Sequence, residues 1–169
     1  MKKQSPISCW LVTVITLIIA IIIVGGITRL TGSGLSMVKW RPVFGLLPPL
    51  NNEQWQLVFD QYKQFPQYQS INTLMTLSGF KKIFFWEYLH RVLGRIIGLS
   101  ILLPLAWFWM QNKLDRPLKI KGLVMGVLVI AQGVLGWYMV KSGLINNPQV
   151  SHFRLAAHLL LALFLMQYI

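Results

Sequence analysis

Four long apolar runs constrain this chain more than any other feature of its sequence. Each is close to the ~20 residues that a helix needs to cross a bilayer. The runs cover approximately residues 9–27, 83–111, 118–140 and 152–169. None alternates with the period of a β-strand, and a backbone inside lipid must satisfy its own hydrogen bonds. We therefore predict an all-α integral membrane four-helix bundle, a single domain over residues 1–169, with a long external loop at residues 28–82.

Composition supports a membrane protein and argues against nucleic acid as a partner. The chain is 55% hydrophobic and 12% charged, and a soluble domain would carry roughly twice that charge. The net charge is +12, but the basic residues lie mostly in loops and at helix ends. There they act as topology signals and as contacts with anionic membrane lipids. Cys9 is the only cysteine, which excludes a CxxCH site for covalently attached haem.

The distribution of cations predicts the orientation. Lys2 and Lys3 precede the first run, and the short loop NKLDRPLKIK holds four more cations, so both should be cytoplasmic. The N-terminus resembles a signal peptide, but its apolar run is about 17 residues long and no A-x-A site follows. We expect an uncleaved first span. No Arg/Ser-rich transit peptide is present, which favours the bacterial inner membrane over the mitochondrial inner membrane.

The external loop is long for a plain connection, which usually indicates a functional role. Asn51 and Gln54 resemble a helix-capping pair, and Pro66 is expected to end the helix. Between them, apolar residues recur with helical spacing at Trp55, Val58, Phe59 and Tyr62. This amphipathic helix is expected either to lie on the membrane surface or to cover a cavity.

Two histidines lie early in runs that should begin at the outer face, and they are the candidate metal ligands. Ionisable residues in a membrane helix are costly and usually mark a functional site. His90 and His158 are accompanied by Arg91, Arg95 and Arg29. Imidazoles hold the iron of a porphyrin, and guanidinium groups bind its propionates. The alternative is that each histidine forms a hydrogen bond between helices.

A short internal repeat supports a shared site. Ser33-Gly34-Leu35 follows the first run and Ser142-Gly143-Leu144 follows the third, and each precedes a helix that carries a histidine. Two helix pairs related by a repeat would bring His90 and His158 face to face, and membrane proteins often place binding sites at such interfaces.

Other polar and small residues in the runs allow two interpretations each. Glu87 and Arg91 are spaced i,i+4, so they form either an ion pair or a carboxyl group beside a cofactor. Gly94 and Gly98 allow either close helix packing or room for a flat macrocycle. Gln132 is expected to form a hydrogen bond between helices, and a contact with the cofactor is the alternative. His152 is expected to be an interfacial residue.

Four segments resemble the heme A synthase family, in its proteobacterial and mitochondrial branch. They occur in order over nearly the whole chain and read GGITRLTGSGLSMVKWRPVFGLLPPLNNEQWQLVFDQYKQFPQY, FFWEYLHRVLGRIIGL, QGVLGWYMVKSGL and VSHFRLAAHL. The resemblance implies an enzyme that oxidises the C8 methyl group of heme O to a formyl group, giving heme A for terminal oxidases. Heme O synthase and terminal oxidase assembly would then be its partners.

The resemblance also assigns roles to residues. His90 and His158 match the family's second-helix and fourth-helix histidines, and Glu87 matches a glutamate that would act as the catalytic acid–base or charge-stabilising group. The family has eight spans in two halves, so this chain corresponds to the N-terminal half. The second haem, heme b, is expected in the C-terminal half, and that half or a second copy of this chain is expected as a partner. Two alternatives remain: a bis-histidine heme b electron-transfer protein that does not need Glu87, and a non-catalytic oxidase assembly factor.

Overall fold

All regular elements in the described part of the chain are helices, which confirms the predicted all-α class there. The computed structural model describes residues 5–39, 47–145 and 148–169, apart from the side chain of residue 145. Lys2 and Lys3, on which the orientation partly depends, lie outside these residues, as does part of the loop 28–82. The elements are α1 (Pro6–Leu30), α2 (Asn52–Tyr62), α3 (Pro66–Ser70), α4 (Leu77–Met110), α5 (Arg116–Ile145) and α6 (His152–Tyr168).

Three of these helices are long and apolar enough to cross a membrane, judged by length and composition: α1, α4 and most of α5. The fourth helix that carries a predicted span, α6, has 17 residues. Large apolar side chains point outward from all three long helices. Ile23 is 60% exposed, Leu103 62% and Val127 66%. Lipid is the solvent that such surfaces require, so the chain is a membrane protein.

The four helices that contain the predicted spans contact one another in a ring. Each is packed against the next in chain order, α1 with α4, α4 with α5 and α5 with α6, and α6 returns to contact α1. Neighbours are antiparallel, since Gly25 of α1 lies beside His90 of α4 while Trp10 of α1 lies beside Phe108. The buried core draws on all four helices and consists of Val14, Ile18, Ile97, Ile101, Met125 and Leu165.

A proline inside α4 is compensated by a side chain from α1. Pro104 has no backbone N–H, so it leaves the carbonyl of Ser100 without its intrahelical donor. The indole Nε1 of Trp10 donates to that carbonyl at 2.7 Å. An unsatisfied backbone carbonyl is especially costly in lipid. This hydrogen bond therefore joins α1 to α4 at the position where α4 lacks an intrahelical hydrogen bond.

We expect Trp10→Phe to destabilise the chain by about 1–3 kcal/mol beyond its lost packing, because it strands a buried acceptor. In a Pro104→Ala background the backbone N–H of residue 104 can bond the Ser100 carbonyl, so Trp10→Phe should then cost less. Unfolding in mixed detergent micelles, followed by circular dichroism, measures all four corners of this double-mutant cycle. If Trp10→Phe lowers the free energy of unfolding equally in both backgrounds, the Trp10 indole does not compensate for Pro104.

The segment between α1 and α4 contains α2 and α3. Asn51 Oδ1 accepts from the Gln54 backbone at 2.9 Å, which confirms the predicted cap, and Gln54 Oε1 accepts from the Leu50 backbone at 2.8 Å. The prediction for Pro66 was wrong in detail. The helix α2 already ends at Tyr62, and Pro66 occupies the first turn of α3, where its missing N–H is not needed.

The amphipathic stripe of α2 packs against protein. Phe59 and Tyr62 are buried in one aromatic cluster with Phe80 and Phe84 of α4. Farther along, α3 contacts α5, and the buried Gln67 donates from Nε2 to the Gly32 carbonyl at 2.8 Å. This segment therefore bridges the end of α1, the first turns of α4, and α5. The helix was expected either to lie on the membrane surface or to cover a cavity. Its contacts with protein favour a covering position, here over the helix ends.

Candidate functional site

The carboxylate of Glu87 lies in a buried hydrogen-bond network that joins α4 to the segment after α1. Glu87 is 3% exposed. Its Oε2 accepts from Ser36 Oγ at 2.7 Å and from the Met37 backbone N–H at 2.8 Å. Its Oε1 accepts from Arg91 Nη2, which also donates to the Met37 carbonyl at 3.0 Å. We call this network the Glu87 latch.

The latch contains the i,i+4 ion pair that the sequence suggested and adds contacts that it did not. All three partners of the carboxylate are donors, which is the pattern of an ionised carboxylate, an acceptor-only group. The side chain is therefore held in one rotamer beside His90, one turn away on α4. Arg91 donates hydrogen bonds to the Glu87 carboxylate and to the Met37 carbonyl.

His90 and His158 share an unusual environment. The Nδ1 atom of each is buried and has no hydrogen-bond partner within the described part of the chain. Each ring also lies directly against a glycine of the preceding long helix. A Cβ added at Gly25 would lie 3.0 Å from Cε1 of His90, and one added at Gly136 would lie 3.0 Å from Cε1 of His158. The α1–α4 and α5–α6 pairs thus repeat one arrangement.

The two histidines lie at nearly the same depth in the ring of helices. Leu105 of α4 contacts Gly122 of α5. His90 is fifteen residues before Leu105, and Gly136 is fourteen residues after Gly122. At 1.5 Å per residue, both levels are about 21–23 Å from that contact. Since α4 and α6 stand on opposite sides of the ring, the two imidazoles lie on facing helices.

These side chains fit a flat, iron-containing macrocycle. A buried polar atom without a partner costs free energy, so the Nδ1 atom of each imidazole calls for an acceptor, a bound water molecule or a ligand beyond the contacts within the described residues. Imidazole is the usual axial ligand of haem iron. Gly98 has open space beside it, whereas Gly94 packs on Ile21, so this pair of glycines serves partly in packing and partly leaves room.

The predicted propionate ligands occupy different positions. Arg29 lies one turn beyond Gly25 on α1, and its Nη2 is 3.2 Å from Nδ1 of the exposed His152. Arg91 belongs to the Glu87 latch. Arg95 lies one turn further along α4 and is partly buried. The structure therefore groups Arg91 tightly with Glu87, and it places Arg29 near the C-terminal end of α1 and the N-terminal end of α6.

Sequence reasoning did not identify Ser36, Met37, Gly25 or Gly136 as site residues. One signal was available. Ser36 directly follows the first of the two Ser-Gly-Leu segments, and these segments are in contact, since a Cβ added at Gly143 would lie 2.7 Å from both methyl groups of Leu35. The short repeat in the sequence thus corresponds to a contact in the fold.

A cleft lies at the other end of α5, with a volume of about 530 Å³. It is lined by Arg116, Pro117, Ile120, Lys121 and Tyr168. Arg116 is twenty residues before Gly136 in the same helix, which corresponds to about 30 Å. The cleft is therefore separate from the histidine pair.

Comparison with known proteins gives one consistent result. A family model described as cytochrome oxidase assembly protein matches residues 8–169. A heme A synthase of Nitrosospira multiformis is 51% identical over 159 residues, covering 94% of this chain and 45% of that relative. Heme A synthases of Novosphingobium aromaticivorans and Rickettsia felis are 52% and 51% identical over 157 and 160 residues. Those two alignments cover 92% and 95% of this chain, and 45% and 48% of the relatives.

The chain thus spans about half the length of the curated relatives that it matches. No solved structure matches it.

Proposed function

Because this chain belongs to the cytochrome oxidase assembly protein family, we propose that it acts in heme A biosynthesis, as the half of a heme A synthase that binds heme O. The reaction is the oxidation of the C8 methyl group of heme O to a formyl group. The observation that carries the proposal is that His90 and His158 lie at nearly one depth on facing helices, each with a buried Nδ1 that has no hydrogen-bond partner among the described residues.

The proposed roles follow from the contacts. His90 and His158 ligate the iron, and Arg29, Arg91 and Arg95 approach the propionates. When bound, the haem supplies the oxidisable methyl group and an iron centre. The protein orients the macrocycle between glycine-lined helices and excludes water. Glu87 is proposed as a catalytic carboxylate near the macrocycle edge, and the latch fixes its position.

The proposed architecture is a four-helix membrane bundle in the bacterial inner membrane with a cytoplasmic N-terminus. The segment 28–82 is then external. Cations in the turn between α4 and α5 and at the start of α5, among them Lys113 and Lys119, support this orientation. We propose that a second haem, heme b, is bound by the C-terminal half. The proposed partners are that half or a second copy, heme O synthase and terminal oxidase assembly.

Extraction of haem from the purified chain tests the function. Cells that make heme O should yield a chain whose extract contains heme O or heme A on chromatography. Heme b alone would support the bis-histidine electron-transfer alternative, and the absence of haem would support a non-catalytic assembly factor. Either of these two results overturns the proposal.

Adding a methyl group against either imidazole should weaken haem retention. Gly25→Ala and Gly136→Ala each place a Cβ at 3.0 Å from a histidine ring, closer than ordinary van der Waals contact, so the ring must move. Gly26 and Gly133 are matched controls, because nothing lies within 4 Å of a Cβ added there. The haem-to-protein ratio after purification measures the difference. Equal ratios in all four alanine variants would show that the rings do not set haem binding.

A further inference from the structure

Gln132 of α5 is the side chain that connects most directly to His158. Its Nε2 donates to the backbone carbonyl of His158 at 2.9 Å, as expected for a hydrogen bond between helices. Its Oε1 is buried and has no hydrogen-bond partner within the described residues, and the same is true of His158 Nδ1. A free acceptor and a free ring nitrogen thus belong to the same contact between α5 and α6.

The position of Gln132 on its helix places it beside the imidazole. Gln132 and Gly136 are four residues apart, so they share one face of α5. Gly136 lies against the ring of His158, with an added Cβ 3.0 Å from Cε1, 3.5 Å from Nε2 and 3.7 Å from Nδ1, and Gln132 contacts the backbone of His158. Because its NH₂ group is already bonded there, the amide is anchored, and its oxygen remains as the available acceptor.

If His158 ligates haem, the amide oxygen of Gln132 is available to accept from the second ring nitrogen of His158. A histidine that ligates a metal through one ring nitrogen almost always donates the other N–H to an acceptor, which fixes the tautomer, orients the ring and increases its basicity. We propose that Gln132 is the positioning residue of His158, and that Oε1 accepts from Nδ1–H directly or through one water molecule. The proposal rests on the haem site proposed above.

The equivalent position in the other helix pair lacks such a group. Gln132 is four residues before Gly136, and the residue four before Gly25 is Ile21. An isoleucine side chain cannot accept a hydrogen bond. At this position α1 therefore has no acceptor for His90, whereas α5 has the Gln132 amide oxygen for His158. The two axial ligands are therefore inequivalent, and His158 is the more strongly donating one.

The first measurement uses the haem-free chain. With ¹⁵N-labelled histidine, at a pH where the imidazoles are neutral, NMR should show His158 as the Nδ1–H tautomer in the unaltered chain and in Gln132→Glu. Gln132→Met keeps the length of the side chain and removes the acceptor, so that tautomer preference should be lost. Ser142→Ala, which removes a hydroxyl bonded within α5 itself, is the control and should change nothing.

The second measurement uses the haem-loaded chain. Gln132→Met should lower haem retention by about tenfold, the lower end of the usual effect for outer-sphere partners, and should raise the reduction potential. Gln132→Glu should restore retention and lower the potential. If Gln132→Met binds haem with the unaltered tautomer and potential, the inference is wrong and the haem site stands. If the unaltered chain binds no haem, the proposed function fails, and the tautomer alone decides the inference.

Discussion

Replacing either His90 or His158 with alanine is expected to strip most of the haem from the purified chain. Under the proposed assignment, each substitution removes one iron ligand and leaves the other imidazole alone to hold the iron. The loss should exceed about tenfold, because the loss of a mere outer-sphere partner already costs about 10–100-fold in metal affinity. The haem-to-protein ratio, determined from the pyridine haemochrome spectrum, measures the effect.

The third histidine provides the control. His152 is exposed and pairs with Arg29, so His152→Ala should retain the haem content of the unaltered chain. If all three variants retain equal haem, the iron ligands lie elsewhere. If His152→Ala alone loses haem, the site is beside Arg29, at the C-terminal end of α1 and the N-terminal end of α6, rather than between α4 and α6.

The second large effect is expected from Glu87→Leu, which should destabilise the chain by about 3–5 kcal/mol, the usual cost of removing one partner of a buried ion pair. The substitution leaves Arg91 without its carboxylate and the buried Ser36 hydroxyl and Met37 N–H without their acceptor. Unfolding in mixed micelles measures it. The matched control is Asp60→Asn, which breaks the exposed ion pair with Lys63 and should have no measurable effect.

Two milder variants separate the structural role of Glu87 from its proposed chemical role. Glu87→Gln keeps the shape of the side chain but loses the charge, and in a full-length context it should retain haem and stop heme O oxidation. Ser36→Ala weakens the latch but leaves the carboxylate intact. If both variants lose activity in proportion to lost stability, Glu87 acts only through the latch. A stable but inactive Glu87→Gln would support catalysis.

The local features of this fold could be predicted from the sequence. Apolar runs of sufficient length give membrane helices, and neighbours one turn apart give the Glu87–Arg91 pair and the Asn51–Gln54 cap. Each depends on residues within a few positions of one another, where helical geometry fixes the contact. The interhelical hydrogen bond of Gln132 was also predictable, because a buried amide in mid-span needs a partner.

The contacts that complete the candidate site are distant in sequence. Ser36 and Glu87 are separated by 51 positions, and Trp10 and Ser100 by 90. Their pairing depends on how α1, α4 and the intervening segment pack, and no periodicity encodes that. The glycines beside the histidines were missed for the same reason. The need for a glycine at these positions becomes clear only when the position of the neighbouring histidine ring is known.

The hydrogen bond from Trp10 to the Ser100 carbonyl also has a consequence for biosynthesis. A ribosome makes the chain from its N-terminus, so Trp10 is synthesised well before Ser100, whose carbonyl accepts from the Trp10 indole. When α4 leaves the translocation machinery with the gap made by Pro104, α1 is already in the bilayer to fill it. Without that earlier helix, α4 would enter lipid with a bare carbonyl, at a cost of several kcal/mol. The first helix thus acts as a built-in insertion partner for the second long one.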